Sequence, residues 1–161
     1  MAIDATAGGA SADSYADVAT ADAYHETRLY SSEWDNASTP DKEAALKWAT
    51  RLLDQHSWVG YKATISQALR WPRSGVLNQD NESIDSDVIP QWLKNAVAEF
   101  ALELLKANRP ADPDTAGFKK IKVDIIELEV DSFDRSDVVP RSVMAMIEPY
   151  IAAAGPKLVR V

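Results

Sequence analysis

The sequence predicts a mainly α protein: a small helical bundle with a long packed loop and an extended β segment near the C-terminal end that pairs between subunits. Three observations predict it. Stretches at about 39–56, 90–107 and from 140 onward repeat apolar residues at helical spacing behind a proline start. Residues 57–88 lose that period but keep Trp58, Tyr61, Ile65, Leu69 and Trp71, enough apolar surface for a long loop to pack. Residues 119–131, KKIKVDIIELEVD, alternate with period two and are rich in Ile and Val.

Taken in order, residues 1–13 form an N-terminal arm, 14–139 a helical core and 140–161 a C-terminal helix and tail. The arm, MAIDATAGGASAD, is small and unpatterned. Such a segment is mobile alone, so its ordering is expected to come from a neighbouring chain. Thr20 is placed to cap a short helix reaching Leu29, with Tyr24 and Leu29 facing inward. Thr39 and Pro40 start the next helix, whose inner face is expected to hold Ala45, Trp48, Ala49, Leu52 and His56. A helical turn is expected near 64–69 in the long loop. The helix over 90–107 is apolar over most of its circumference, with Asn95, Glu99, Glu103 and Lys106 as a single polar stripe. That pattern belongs to the middle of a bundle.

The β segment shifts its apolar set from Ile121, Val123 and Ile125 to Ile126, Leu128 and Val130, which reads as a bulge or bend. With no second strand evident, pairing with another copy would protect its edge. From Pro140, Val143, Ile147, Tyr150, Ile151 and Ala154 share a helical face, and Pro149 should kink or end the helix. SDVIPQ at 86–91 and SDVVPR at 136–141 repeat one helix-start grammar, an extended residue before a proline.

Composition narrows the function. Forty-six per cent hydrophobic residues, five tryptophans and five tyrosines in 161 residues support one packed domain. The net charge of −8 disfavours phosphate backbones and anionic membranes, and suits a surface that lies near DNA without holding it. Without cysteine there is no disulfide, thiolate metal site or cysteine nucleophile. The first residues show no basic region followed by an apolar run, and no stretch approaches a bilayer span, so a product made in a cytoplasm is expected, with no membrane partner.

Chemistry is sparse. His25 and His56 lie in separate helices without metal-site spacing, and no phosphate-loop, dinucleotide or nucleophile-elbow motif occurs. Asp80, Glu82, Asp85 and Asp87 lack the glycine and terminal glutamate of a calcium loop. No catalytic residue, metal site or cofactor is assigned, and nothing points to an enzyme. Two clusters could meet nucleic acid or another subunit. Arg70, Trp71 and Arg73 interleave an aromatic with cations, as a base-stacking platform does. The structural alternative is an arginine stacked on the tryptophan, with both guanidiniums anchoring the loop to the acidic run, and the chain's acidity favours it. Lys119, Lys120 and Lys122 form the second cluster, equally readable as guards on a strand edge.

Several segments come in a telling order: SYADVATADAYHETR at 14–28, a tryptophan-bearing second helix, QALRWPRSGV at 67–76, IPQWLKNAVAEFALELL at 89–105, the KIKVDIIELEVD strand and a short last helix ending PYI. Together they resemble a bacteriophage family of head–tail connector adaptors, often labelled DnaT-like single-stranded DNA-binding proteins. The similarity spans about residues 14–151. Its most specific pieces are Trp71-Pro72-Arg73 and the Ile89-Pro90 helix start with Ala96 and Glu99. The resemblance implies a helical-bundle adaptor that assembles as a ring, typically a dodecamer, beneath the portal protein of the virion. Such a ring extends the channel for double-stranded DNA without binding it specifically, and docks a tail or nozzle protein. By the same resemblance, residues 140–161, with Tyr150, Lys157, Leu158 and Arg160, would reach toward the portal. The strand and arm would meet neighbouring copies. The LRWPRSG stretch itself is read as a loop anchored over the core that presents Arg70 and Arg73 at a subunit interface. The alternative is a single-stranded DNA-binding replication accessory protein.

Overall fold

The computed structural model describes residues 2–111, 120–123, 126–129 and 137–152. The chain is mainly helical, with elements in the order α1 (Val18–His25), α2 (Ser32–Asn36), α3 (Thr39–Leu53), β1 (Tyr61–Lys62), β2 (Arg73–Ser74), α4 (Gln91–Lys106), β3 (Lys120–Val123), β4 (Ile126–Glu129), α5 (Arg141–Ile147) and a 3-10 turn at Glu148–Tyr150. Among the described residues, no helix is long and apolar enough to cross a membrane.

α4 is the central helix, packed by α1, α2, α3 and α5. Leu93, Ala96, Val97, Phe100, Ala101 and Leu102 are buried along it, as an all-round apolar helix requires. Each buried leucine or phenylalanine contributes about 1.5–3 kcal/mol of transfer free energy. α4 and α5 both start behind a proline in the extended conformation, Pro90 at ψ 146° and Pro140 at ψ 149°. The shared SDV-(I/V)-P grammar thus puts proline at the cap, and the first helical residue is the one after it rather than the proline expected to open each helix. Pro149 ends the regular part of the last helix in the 3-10 turn, and Val143, Ile147 and Tyr150 face the core.

Other expectations are corrected. Asp17, not Thr20, caps α1: its carboxylate accepts from the Thr20 N–H at 2.8 Å, so the helix starts and ends earlier. Leu29 falls beyond it and is 77% exposed, while Ala21 and His25 take the inner positions. Ser38 caps α3. The inner face of α3 is Ala45, Leu46, Ala49, Thr50 and Leu53, rotated from the expected set, and Trp48 is 46% exposed. The rotation follows from Thr50, whose hydroxyl accepts the Tyr15 N–H at 3.3 Å and lies 3.4 Å from the Ser14 hydroxyl. With that bond made, a threonine can be buried.

The N-terminal arm is held by its own chain. Asp4 accepts from Thr6 N and Ser11 Oγ, the Asp4 carbonyl accepts from Asp13 N and Ser14 N, and Gly9 O accepts from Ala68 N at 3.0 Å. No neighbouring chain is needed to order it. The β segment also closes on itself. β3 and β4 pair antiparallel, with Lys120 opposite Glu129, Ile121 opposite Leu128, Lys122 opposite Glu127 and Val123 opposite Ile126. The shift in apolar alternation marks two strands of a hairpin rather than a bulge, and the pairing expected from a second subunit is made within one chain.

Candidate functional site

The stretch over residues 57–76 is irregular and contains no helix at 64–69; its regular structure is the two-residue pair β1–β2, Tyr61 opposite Ser74 and Lys62 opposite Arg73. Gly60 makes the entry to this pair possible. It sits at φ +71°, and a Cβ there would lie 2.4 Å from Ser74 O. Only glycine combines that φ with that approach.

Trp71 is 1% exposed. Its ring meets Trp58 and Trp92 edge-on, at centroid distances of 5.9 and 5.3 Å, and Trp92 stacks flat on Tyr150 at 4.0 Å. These aromatics tie the long loop to the start of α4 and the end of the last helix, a geometry favoured by ring quadrupoles. The Trp71–Pro72 peptide is cis. Backbone bonds fix the loop as well. The Tyr15 hydroxyl accepts from Trp71 N at 3.2 Å and donates to Asp54, whose other carboxylate oxygen accepts from Arg70 N at 3.2 Å. Burial pushes the Asp54 carboxyl up, and burial followed by the Asp54 charge pushes the Tyr15 hydroxyl well up.

Arg73 is 8% exposed and donates to four backbone carbonyls: Nε to Val59 at 2.6 Å, Nη1 to Arg70 at 3.1 Å, and Nη2 to Gly60 at 2.5 Å and Trp58 at 3.3 Å. Burial, then the neighbouring Arg70 charge, lower its pKa. A guanidinium's five donors in a fixed fork suit this task as an ammonium does not. The expected anchoring of both arginines to the acidic run is therefore replaced: Arg73 holds carbonyls, and the expected Arg–Trp stack gives way to Trp–Trp contacts. Arg70 is the exposed member of the group.

The remaining site expectations divide. Tyr150 is buried against Trp92, because its stacking seals the aromatic cluster, and so belongs to the core rather than to an open interface. Lys120 and Lys122 hold register positions in β3 opposite glutamates. Lys119, Lys157, Leu158 and Arg160 lie outside the described residues.

Two polar clusters escaped sequence reasoning. Arg28 grips Glu99 through Nε and Nη2 at 2.6 and 2.7 Å, Tyr24 donates to the same carboxylate at 3.2 Å, and Arg28 Nη1 donates to the carbonyls of Leu29 and Tyr30. Burial works to raise the Glu99 pKa, but the Arg28 bonds and charge outweigh it and leave the pKa lowered. The available signal was weak: Glu99 shares the polar stripe of α4 with Asn95, Glu103 and Lys106, and nothing in the sequence marks it as the buried member. His25 is also buried, between Tyr24 and Trp34, with Nε2 3.1 Å from Ala98 O. Burial lowers its pKa.

Among the described residues, no group of three His, Cys, Asp or Glu could hold a metal ion. Residues 2–111 contain ten Lys and Arg against sixteen Asp and Glu. Of those ten cations, Arg28, Lys42, Lys47, Lys106 and Arg109 are in ion pairs. Arg73 and Lys62 donate to backbone carbonyls. Arg51, Arg70 and Lys94 stand outside these bonds.

A family model described as "Putative DnaT-like ssDNA binding protein" matches residues 1–161. The chain belongs to this family. No curated protein and no solved structure matches it. Trp71, the aromatic at the centre of the stretch that would suggest base stacking, is therefore a core residue in this member of the family.

Proposed function

We propose that this chain is a structural head–tail adaptor of a phage virion. It forms a ring under the portal, extends the DNA channel and docks the tail or nozzle, and it acts by assembly rather than chemistry. The fate of the Arg70–Arg73 stretch carries the reading. Trp71 and Arg73 are consumed inside the fold, so the motif supports a scaffold and presents no stacked aromatic to a base. The acidic body fits a channel wall, since a basic wall would retain each passing phosphate and slow DNA transit. The order of segments shared with head–tail adaptors supplies the assembly context.

A single-stranded DNA-binding replication role is the second reading, and the family description favours it. Tyr30 and Tyr61 are exposed aromatics that such a role could use. Fluorescence anisotropy with a short labelled oligonucleotide separates the two. The adaptor reading predicts no salt-sensitive binding at micromolar protein. Binding that weakens steeply with salt and is lost on Tyr61→Ala or Tyr30→Ala would move the second reading to the front.

A further inference from the structure

α3 and α4 run antiparallel: Trp58, just past α3, meets Trp92 in the first turn of α4. The two ends of this helix pair are unlike. At the far end, Ala44, Ala45 and Trp48 of α3 and Leu104 and Leu105 of α4 line an open cleft of about 570 Å³, with Glu33 and Asp41 also on its walls. At the near end, residues 61–66 form a projecting loop whose Tyr61 is 79% exposed and whose Ile65 is fully exposed. From Trp92 to Leu105 the helix rises about 20 Å, so the loop cannot reach its own cleft.

The loop is rigid in its projecting form. Gln67 is buried and accepts from Thr64 N at 2.9 Å, while its amide donates to the carbonyls of Leu69 and Pro72. Ala63 N donates to Pro72 O, and Lys62 donates to Gln67 O at 3.0 Å. An isoleucine held in water on a fixed loop has already met the ordering cost of docking. The charges also complement each other: Lys62 and exposed Arg70 flank the loop, while Glu33 and Asp41 border the cleft.

We propose that residues 61–66 of one copy dock in the α3–α4 cleft of the next, with Ile65 inserted beside Trp48. The contact is heterologous and head-to-tail, the kind that closes into a ring when the rotation per subunit permits; closure rests on the adaptor reading above. Arg70 then lies at the rim of a subunit interface.

The chain has no cysteine, which makes a cross-linking test clean. Oxidised Ile65→Cys/Ala44→Cys protein should give a reducible ladder of multimers, free or on the portal. The two single variants mixed should stop at a dimer. Leu77→Cys/Ala44→Cys should give no ladder. Ile65→Asp, an exposed change that keeps the fold, should weaken self-association at least about tenfold in sedimentation velocity. No ladder, an equal ladder from the Leu77 control, or wild-type association of Ile65→Asp would each overturn the contact. Rings on the portal that stay uncross-linked overturn this contact alone. A ladder without portal binding overturns the adaptor reading alone.

Discussion

Replacing Arg73 by alanine isolates what the Trp-Pro-Arg stretch does. The substitution removes a guanidinium that bonds four carbonyls, two of them at 2.5 and 2.6 Å, and leaves those carbonyls facing a void. Bonds to a charged group contribute about 1.5–3 kcal/mol each, and the cost of burying the cation is recovered on removal. Counting the two short bonds and discounting the longer pair gives a loss of about 3–5 kcal/mol, against a total stability of about 5–15 kcal/mol for a domain. For a chain of this size that lowers the melting temperature by about 6–20 °C. Arg70→Ala, three residues away and exposed, should change stability by no more than about 0.5 kcal/mol. Thermal denaturation followed by circular dichroism compares the two directly. An Arg73→Ala protein that melts with the wild type, or an Arg70→Ala protein that falls as far, would refute the anchoring argument.

Three further outcomes follow from the same structure. Gly60→Ala should cost more than the about 1–2 kcal/mol of a left-handed alanine, because its Cβ also meets Ser74 O; urea unfolding measures it. Glu99→Ala strips Arg28 and Tyr24 of their acceptor, but Arg28 stays 23% exposed and keeps the Leu29 and Tyr30 carbonyls, so the cost should be about 1.5–3 kcal/mol. The Glu99 pKa is lowered in the fold, so its contribution is present above the ordinary carboxylate pKa and lost as pH falls through the folded value; the variant should lose that part of the acid limb. His25 also has a lowered folded pKa, so the unfolded chain takes up its proton first. Stability should hold above about pH 6.5 and decline below it until the folded ring protonates, and His25→Phe should flatten melts recorded across that range.

Much of the helical frame was legible. α4 and the last helix follow from continuous apolar patterns behind prolines, signals that burial strengthens. The phase of α3 was not, because Thr50 reads as polar until Tyr15 supplies its partner from 35 residues away. Glu99 looked like part of a solvated stripe because Arg28 lies 71 residues distant. α2 is five residues long, too short for any period to register. The Trp-Pro-Arg stretch announced itself as special and its anchoring role was the favoured reading, but the partners of Arg73 were not legible. Arg73 bonds backbone carbonyls, which are alike at every residue and leave no trace in sequence. The β segment's two halves were visible as a slip in alternation, and only the pairing distinguishes a hairpin from a bulge.

The adaptor claim is tested most directly by mixing the purified chain with a phage portal protein and imaging the product by negative-stain electron microscopy. The account predicts a second ring stacked on the narrow end of the portal. A bare portal, under conditions where circular dichroism shows the chain folded, would contradict it.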